Sequence, residues 1–327
     1  MRQHKLALCK EHFPAWIQEQ TGRFIKKYRM FGREDRVLVA VSGGKDSLAL
    51  WEVLIQLGYE ADGLYLGLGI DEGVGYSDVS RKMVEAFAAR HPRARLHILD
   101  VEGVYGEGIP ALARRVRRGK GRPCSVCGLV KRHEMNRIAH ELGYNVLATG
   151  HNLDDEVAVL FQNTLNWRVQ YLARQSPVLP EGDGFARKVK PFFRFYERET
   201  AAYAIVRGID YIYEECPFAA GATTIYYKEL LNRLEAGKPG AKLHFLLSFL
   251  HAREREGLLA GREEKQIELH PCENCGQPTT APGLCAFCRL WSEDVRSQSA
   301  EALRPITLHF ARKDAQESLV VEDCGPG

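Results

Sequence analysis

Two loops and three sets of cysteines hold most of the chemistry this sequence can do. Ser42-Gly43-Gly44-Lys45-Asp46-Ser47 follows the apolar run Arg36–Val41. Its glycines let backbone N–H groups approach an anion, and a helix starting there adds the positive end of its dipole. Lys45 contributes a point charge, and Ser42 and Ser47 contribute hydroxyl donors. The spacing departs from G-x-x-x-x-G-K-[ST] and from G-x-G-x-x-G, which disfavours a kinase or GTPase loop and a dinucleotide fold. A capped glycine turn would explain a bare SGG, but not all six residues behind an apolar strand. A second loop, Thr149-Gly150-His151-Asn152-Leu153-Asp154-Asp155-Glu156, follows another apolar run. Paired carboxylates at a strand end can hold Mg²⁺ beside phosphates. The same residues can also be a helix cap with acids in the first turn. The two readings weigh evenly for Asp154, and chemistry is favoured for Asp155.

The chain has nine cysteines. An odd number excludes a fully paired framework, and nine in 327 residues is too dilute for a disulfide-stapled scaffold. In a reducing compartment such cysteines point to metal or catalysis. Cys272-x2-Cys275 and Cys285-x2-Cys288 are separated by nine residues in a Gly/Pro-rich setting. Thiolate pairs so spaced converge tetrahedrally on Zn²⁺, and with all four positions filled the site is structural. Cys124-x2-Cys127 alone is open between a redox dithiol, half a metal site and a chance pair. Cys216, in Glu214-Glu215-Cys216-Pro217, can supply a third thiolate through the fold. Three thiolates hold three irons of a four-iron cluster and leave one iron open. Cys9 and His12 form a half-site for which the bland reading is preferred, and Cys324 reads as a free thiol in the tail.

These groups need a scaffold. The length allows about two domains. A composition of 45% hydrophobic and 27% charged residues is that of a soluble globular protein. No stretch of 18 apolar residues and no secretory signal pattern are present, so a cytoplasmic protein is expected. Residues 13–30 read as an amphipathic helix. Strands are expected at 36–41, 60–68, 94–100 and 144–149, with helices at 48–57, 78–90, 128–142 and from about Asp154. That alternation implies βαβ units, a mostly parallel sheet, and ligands at the C-terminal strand ends. From residue 196 the pattern is helical (196–207, 222–236, 241–256). Residues 1–30 then form a helical segment, 31–265 the main α/β domain, 266–291 a metal-stapled ribbon and 292–327 a tail without clear pattern, expected to be partly mobile.

A net charge of +3 says little about partners, but its placement says more. Arg114, Arg115, Arg117, Arg118, Lys120 and Arg122 crowd just before Cys124. Beside candidate active thiols, such a cluster favours RNA phosphates over a merely solvated face. Arg187, Lys188, Lys190, Arg194 and Arg198 form a second, weaker patch.

Taken together, SGGKDS, CSVCGLVKR, GHNLDDE, EECP, the CENCG…CAFC ribbon and the segment Leu6 to His12 resemble the TtuA-type tRNA 2-thiouridine synthetases, within the TtcA/TtuA group of PP-loop ATP pyrophosphatases. The resemblance covers about residues 5–291. It implies a PP-loop fold like that of the adenine nucleotide alpha hydrolases, with helices on both faces of a parallel sheet and a small zinc ribbon. It implies ATP-dependent adenylation of the C2 oxygen of a tRNA pyrimidine, then replacement of that oxygen by sulfur, with 2-thiouridine in the T-loop favoured. Ser42, Gly43, Gly44, Lys45, Asp46 and Ser47 would then hold the pyrophosphate end of ATP, with Gly150, Asp154 and Mg²⁺ nearby. Cys124, Cys127 and Cys216 would hold a [4Fe-4S] cluster with an open iron. Lys131 and Asp155 would serve in the active site, and Cys272, Cys275, Cys285 and Cys288 would hold zinc. The implied partners are tRNA, a ubiquitin-like sulfur carrier ending in a thiocarboxylate, and a second copy of the chain. Members carry an N-terminal zinc knuckle made of a C-x2-C pair and a later C-x2-H pair. Here Cys9 and His12 match only the second pair, which puts zinc there in doubt. The rival readings are thiolation of a wobble uridine or an anticodon-loop cytidine, a PP-loop ligase or amidotransferase with Cys124 and Cys127 as a redox pair, and a non-catalytic RNA-binding module.

Overall fold

The computed structural model describes residues 2–71, 73, 75–116, 123–182, 184–219, 221–260, 269–292 and 306–308. The chain opens with helix α1 (His12–Lys27), whose Ile17, Phe24 and Ile25 are buried as the amphipathic spacing predicts. Then come β1 (Val37–Val41), α2 (Lys45–Gln56), β2 (Ala61–Gly67), α3 (Tyr76–Ala89) and β3 (Leu96–Asp100). Two short helices missed by the sequence reading follow, α4 (Val101–Tyr105) and α5 (Ile109–Arg115). Next are α6 (Pro123–Glu141), β4 (Val146–Thr149) and α7 (Leu153–Leu165). The second half contributes α8 (Val169–Arg174), β5 (Val178–Leu179), β6 (Arg187–Val189), α9 (Glu197–Val206), α10 (Thr223–Gly237) and α11 (Ala241–Arg255). A two-stranded hairpin, β7 (His270–Pro271) with β8 (Pro278–Thr279), starts the Cys-rich block. Strand β9 (Ile306–Leu308) lies in the stretch read as patternless tail.

The main sheet runs β5-β6-β4-β1-β2-β3-β9. β6, β4, β1, β2 and β3 are parallel, and β5 and β9 close the edges antiparallel. Alternation along β1 feeds two cores: Val37, Val39 and Val41 pack toward α1, α2 and α7, and Leu38 toward α4, α5 and α6. Strand order reverses between β1 and β4, where a parallel sheet opens a crevice at its C-terminal edge. Both candidate loops leave the sheet there. The Cys-rich block is no separate body: Cys272, Cys285, Phe287, Cys288 and Trp291 are buried within the same core as α4 to α6. Among the described residues no helix is long and apolar enough to cross a membrane.

Candidate active site

β1 delivers Ser42 to the start of α2, which begins at Lys45, three residues earlier than the apolar pattern predicts. Gly43 takes a φ of 78°, and a Cβ there would lie 2.6 Å from the Ser80 carbonyl oxygen, so only glycine fits the turn against α3. The Ser42 N–H donates to Ser47 Oγ (3.1 Å), and the Ser47 hydroxyl donates to the Gly44 carbonyl (3.0 Å), which knots the loop. No side chain caps α2, leaving the amides of its first turn open to an anion. Gly150 packs on this turn from the other loop: a Cβ there would stand 2.8 Å from the Ser47 nitrogen.

Between the loops lies a cavity of about 350 Å³, within the usual range for a small-molecule site. Ser42, Gly44, Asp46, Ser47, Gly150 and Asp155 line its polar side. Leu64, Leu66, Leu68 and Met135 give it an apolar wall. Tyr76, Lys131 and His151 also line it. Phosphates fit the first side, and a flat heterocycle fits the second.

A chain of charges links two of the lining residues, Asp46 and Asp155. Lys45 Nζ lies 3.1 Å from Asp46 and 2.8 Å from Glu197. Lys228 Nζ lies 3.2 Å from the other Glu197 oxygen and 2.6 Å from Asp155. Burial works against the charge on Lys45, but Asp46 and Glu197 outweigh it and raise its pKa. Lys228 is raised likewise, burial being overcome by Asp155 and Glu197. Burial lifts the Asp46 carboxyl above its usual range, with Lys45 and Thr200 opposing. Both lysines are therefore firmly cationic where polyphosphate charge would sit. Glu197 and Lys228, on α9 and α10, belong to no motif, and the sequence reading missed them.

The two acids of GHNLDDE divide. Asn152 caps α7 and forms a capping box with Asp155: the Asn152 N–H donates to Asp155 Oδ2 at 3.1 Å. The other Asp155 oxygen faces Lys228 and the cavity, so cap and chemistry coexist in one carboxylate. Asp154 is not brought to the phosphate loop. It is buried, paired with Lys242, and accepts the Glu197 N–H at 2.9 Å, which fixes the start of α9.

The helix expected at 128–142 starts at Pro123, so Cys124 and Cys127 lie in its first turns, with Lys131 one turn on. Cys216 precedes a short 3-10 turn, Pro217–Ala219, and the Cys124 thiol donates to the Phe218 carbonyl across the gap (3.4 Å). Burial raises the Cys127 thiol pKa, Lys131 opposes it, and Cys216 and Cys124 add to it, so the three sulfurs and Lys131 share one neighbourhood. Tyr76, on the cavity wall, is raised by burial and then by Cys216 and Cys127. The three thiols thus lie near Tyr76 and Lys131 of the cavity wall, and all are free.

In the ribbon, donor atoms of Cys275, Cys285, Cys288 and His133 lie within 4.8 Å of one another. Cys272 adjoins them, its sulfur accepting the Cys285 N–H at 3.2 Å. His133, unforeseen in the sequence, comes from α6: its Nε2 is 3.4 Å from Cys275 Sγ and its Nδ1 is 2.8 Å from Glu134. Its ring stacks on Phe287, with centroids 3.6 Å apart. Cys9 and His12 also meet, at 2.9 Å, but among the described residues no third metal donor joins them.

The basic patches fare differently. Arg115 pairs with Glu107 and Arg114 is exposed, whereas Arg117, Arg118, Lys120 and Arg122 lie outside the described residues, as does Cys324. The second patch is largely consumed internally. Arg187 pairs with Glu181 (2.8 Å) and Lys190 with Glu156 (2.8 Å). Arg194 covers Phe24 and Arg198 covers Tyr196.

No protein-family model matches the chain. Among curated proteins, a tRNA-5-methyluridine(54) 2-sulfurtransferase of Thermus thermophilus is 50% identical over 310 residues, 95% of this chain and 93% of that protein. A protein of the same description from Pyrococcus horikoshii is 41% identical over 290 residues, 88% of each. Among solved structures, the U34-tRNA thiolase NcsA from Methanococcus maripaludis, described with its [4Fe-4S] cluster, matches with a TM-score of 0.71 over 89% of this chain and 91% of that one. At 22% identity that likeness is one of fold.

Proposed function

We propose, from the premise that this chain belongs to the family of the tRNA-5-methyluridine(54) 2-sulfurtransferases, that it replaces the C2 oxygen of a T-loop uridine in tRNA by sulfur, consuming ATP. The cavity at the β1/β4 switch point carries this reading, with its phosphate loop on one side and three free cysteines near Tyr76 and Lys131 of its wall. The chemistry balances in two steps. The C2 oxygen attacks the α-phosphorus of ATP and expels pyrophosphate. A hydrosulfide-level sulfur then adds to C2, and AMP leaves with the former oxygen. The open amides of α2 and Lys45 bear the leaving pyrophosphate. Lys228 holds Asp155 in place, and Asp155 with Asp46 suits Mg²⁺ beside the phosphates. Lys131, between cavity and thiols, is placed to offset charge as sulfur adds.

Cys124, Cys127 and Cys216 fit an iron–sulfur cluster: they are free, mutually close and accompanied by one cation. A [4Fe-4S] cluster held by three thiolates supplies an open iron that can carry the incoming sulfur. Cys275, Cys285 and Cys288 fit structural zinc, with His133 within the same donor cluster and Cys272 adjoining it as the fourth cysteine of the expected set. Exposed Arg114 and the arginines following it would meet tRNA phosphates. A sulfur carrier with a C-terminal thiocarboxylate and a homodimer complete the proposed assembly, both on the family resemblance.

The test is Cys124→Ala, purified anaerobically. Cluster absorbance and tRNA thiolation should vanish while ATP binding persists. Normal thiolation by this variant would refute the cluster assignment. Release of AMP with ammonia or an amine as acceptor, and no thiolated nucleoside, would favour the ligase reading.

A further inference from the structure

The segment Tyr211-Ile212-Tyr213-Glu214-Glu215 bridges the phosphate loop and Cys216, and none of the chemistry above uses it. Ile212 is buried, and its N–H donates to the Gly43 carbonyl at 2.9 Å, which pins the segment to the phosphate loop. In an extended chain alternate side chains face opposite ways. Tyr211 and Tyr213 therefore face away from Ile212, and their rings meet with centroids 4.5 Å apart at 40°. Tyr213 is 77% exposed, whereas Tyr211 is half-buried. Lys45 and Asp46 are near enough to act on the Tyr211 hydroxyl. Cys216 is three residues beyond Tyr213.

Scattered exposed aromatics need no explanation. This pair differs, because it is tethered to the loop proposed to hold ATP and ends at a cysteine proposed to hold the cluster. Its neighbours Asp210, Glu214 and Glu215 are exposed acids. They would repel a phosphate, so the ligand of this surface is an uncharged ring. A uridine modified at C2 must leave its stack to reach the cavity, and an unstacked base settles on an aromatic face.

We propose that Tyr213, backed by Tyr211, is the platform on which the target pyrimidine of the RNA stacks as it enters the site. This rests on the tRNA-thiolase reading and adds to it the residue that receives the base. Stacking needs the ring, not the hydroxyl. The loss of one base–aromatic stack corresponds to roughly 10- to 100-fold in affinity.

The experiment uses the full chain with its metals, and compares Tyr213→Ala and Tyr213→Phe in steady-state thiolation. Tyr213→Ala should raise KM for tRNA about 10- to 100-fold and leave ATP affinity measured without RNA unchanged. Tyr213→Phe should restore KM to near the wild-type value. In parallel, tRNA with 5-iodouridine at the target position is photocrosslinked, and the linked peptide should contain Tyr213. A wild-type KM for Tyr213→Ala, equal losses in both variants, or a crosslink confined to another segment would overturn the platform while leaving the thiolase reading intact. A wild-type enzyme that thiolates no tRNA would overturn both.

Discussion

Gly150→Ala tests whether the two loops act as one device. A Cβ at Gly150 would stand 2.8 Å from the Asp46 carbonyl carbon and the Ser47 nitrogen, and 2.9 Å from the Asp46 oxygen. Ordinary contact begins at 3.4 Å, so about 0.6 Å must open between two main chains. No side-chain rotation can supply it, because every near neighbour is backbone. Gly150 is not among the glycines with positive φ, so the effect is purely one of space. Overpacking of this size costs about 1–3 kcal/mol of stability. The larger cost falls on chemistry, because His151 and Asp155 move away from the amides of α2 together. A misplacement approaching 1 Å at reacting groups costs on the order of 10²-fold, about 2.7 kcal/mol in the barrier. We therefore expect kcat/KM for ATP-dependent AMP formation with tRNA to fall about 10²-fold. Metal content and cluster absorbance should stay at wild-type levels. Gly237→Ala, where a Cβ meets nothing within 4 Å, is the control. A folded Gly150→Ala protein with kcat/KM within about threefold of wild type would show that the loops do not depend on this contact.

Two further outcomes follow from the charge chain and the ribbon. Burial pushes the Glu197 carboxyl up, but Lys45 and Lys228 outweigh it and lower its pKa. Ionised Glu197 thus adds stability above the ordinary carboxylate range, and that contribution is lost as pH falls through its folded value. Glu197→Gln should be less stable than wild type near neutral pH, and urea denaturation should show the gap shrinking as pH falls below the ordinary carboxylate range; a gap constant with pH would refute this. If the ribbon holds zinc, wild type should keep it through dialysis and Cys285→Ser should lose it and lower the thermal transition, because Cys285 and its neighbours are buried in the core under α4 to α6; a wild type without zinc, or equal zinc in both proteins by elemental analysis, would reject the ribbon as a metal site.

What could be read in advance divides by sequence separation. β1, β2, β3 and β4 announced themselves as short, largely apolar runs alternating with helical stretches, because both faces of a parallel sheet are buried. The SGGKDS turn and the clustering of the ribbon cysteines were legible because their residues lie close together in sequence. β5, β6 and β9 were not, being two or three residues long and set by pairing rather than by pattern. Asp154 misled for a physical reason: a carboxylate in the first turn of a helix reads the same whether it faces a metal or Lys242. The Lys45–Glu197 contact spans 152 residues and has no local signature. The second basic patch failed for a related reason. Charge counted along the chain ignores the acids that folding brings opposite, such as Glu181 for Arg187 and Glu156 for Lys190.

One element ties the three centres together, and its periodicity explains how. At about 100° per residue, Cys124, Cys127 and Lys131 fall on one side of α6, toward the cavity and the Cys216 turn. His133 falls on the other, bonded to Cys275 and stacked on Phe287. On the flank between them Glu134 is fully buried, held by Arg137 and the Tyr105 hydroxyl (3.0 Å). Tyr105 in turn stacks on Trp291 of the ribbon, with centroids 4.6 Å apart. The ribbon therefore grips the back of the helix whose front carries the thiols. A buried carboxylate paired with Arg137 cannot shift without leaving charge unpaired, so the grip is stiff. This gives the ribbon a reason to exist at a distance from the phosphate loop. It fixes the rotation of α6, and that rotation decides whether Lys131 lines the cavity and whether Cys124 and Cys127 meet the Cys216 turn.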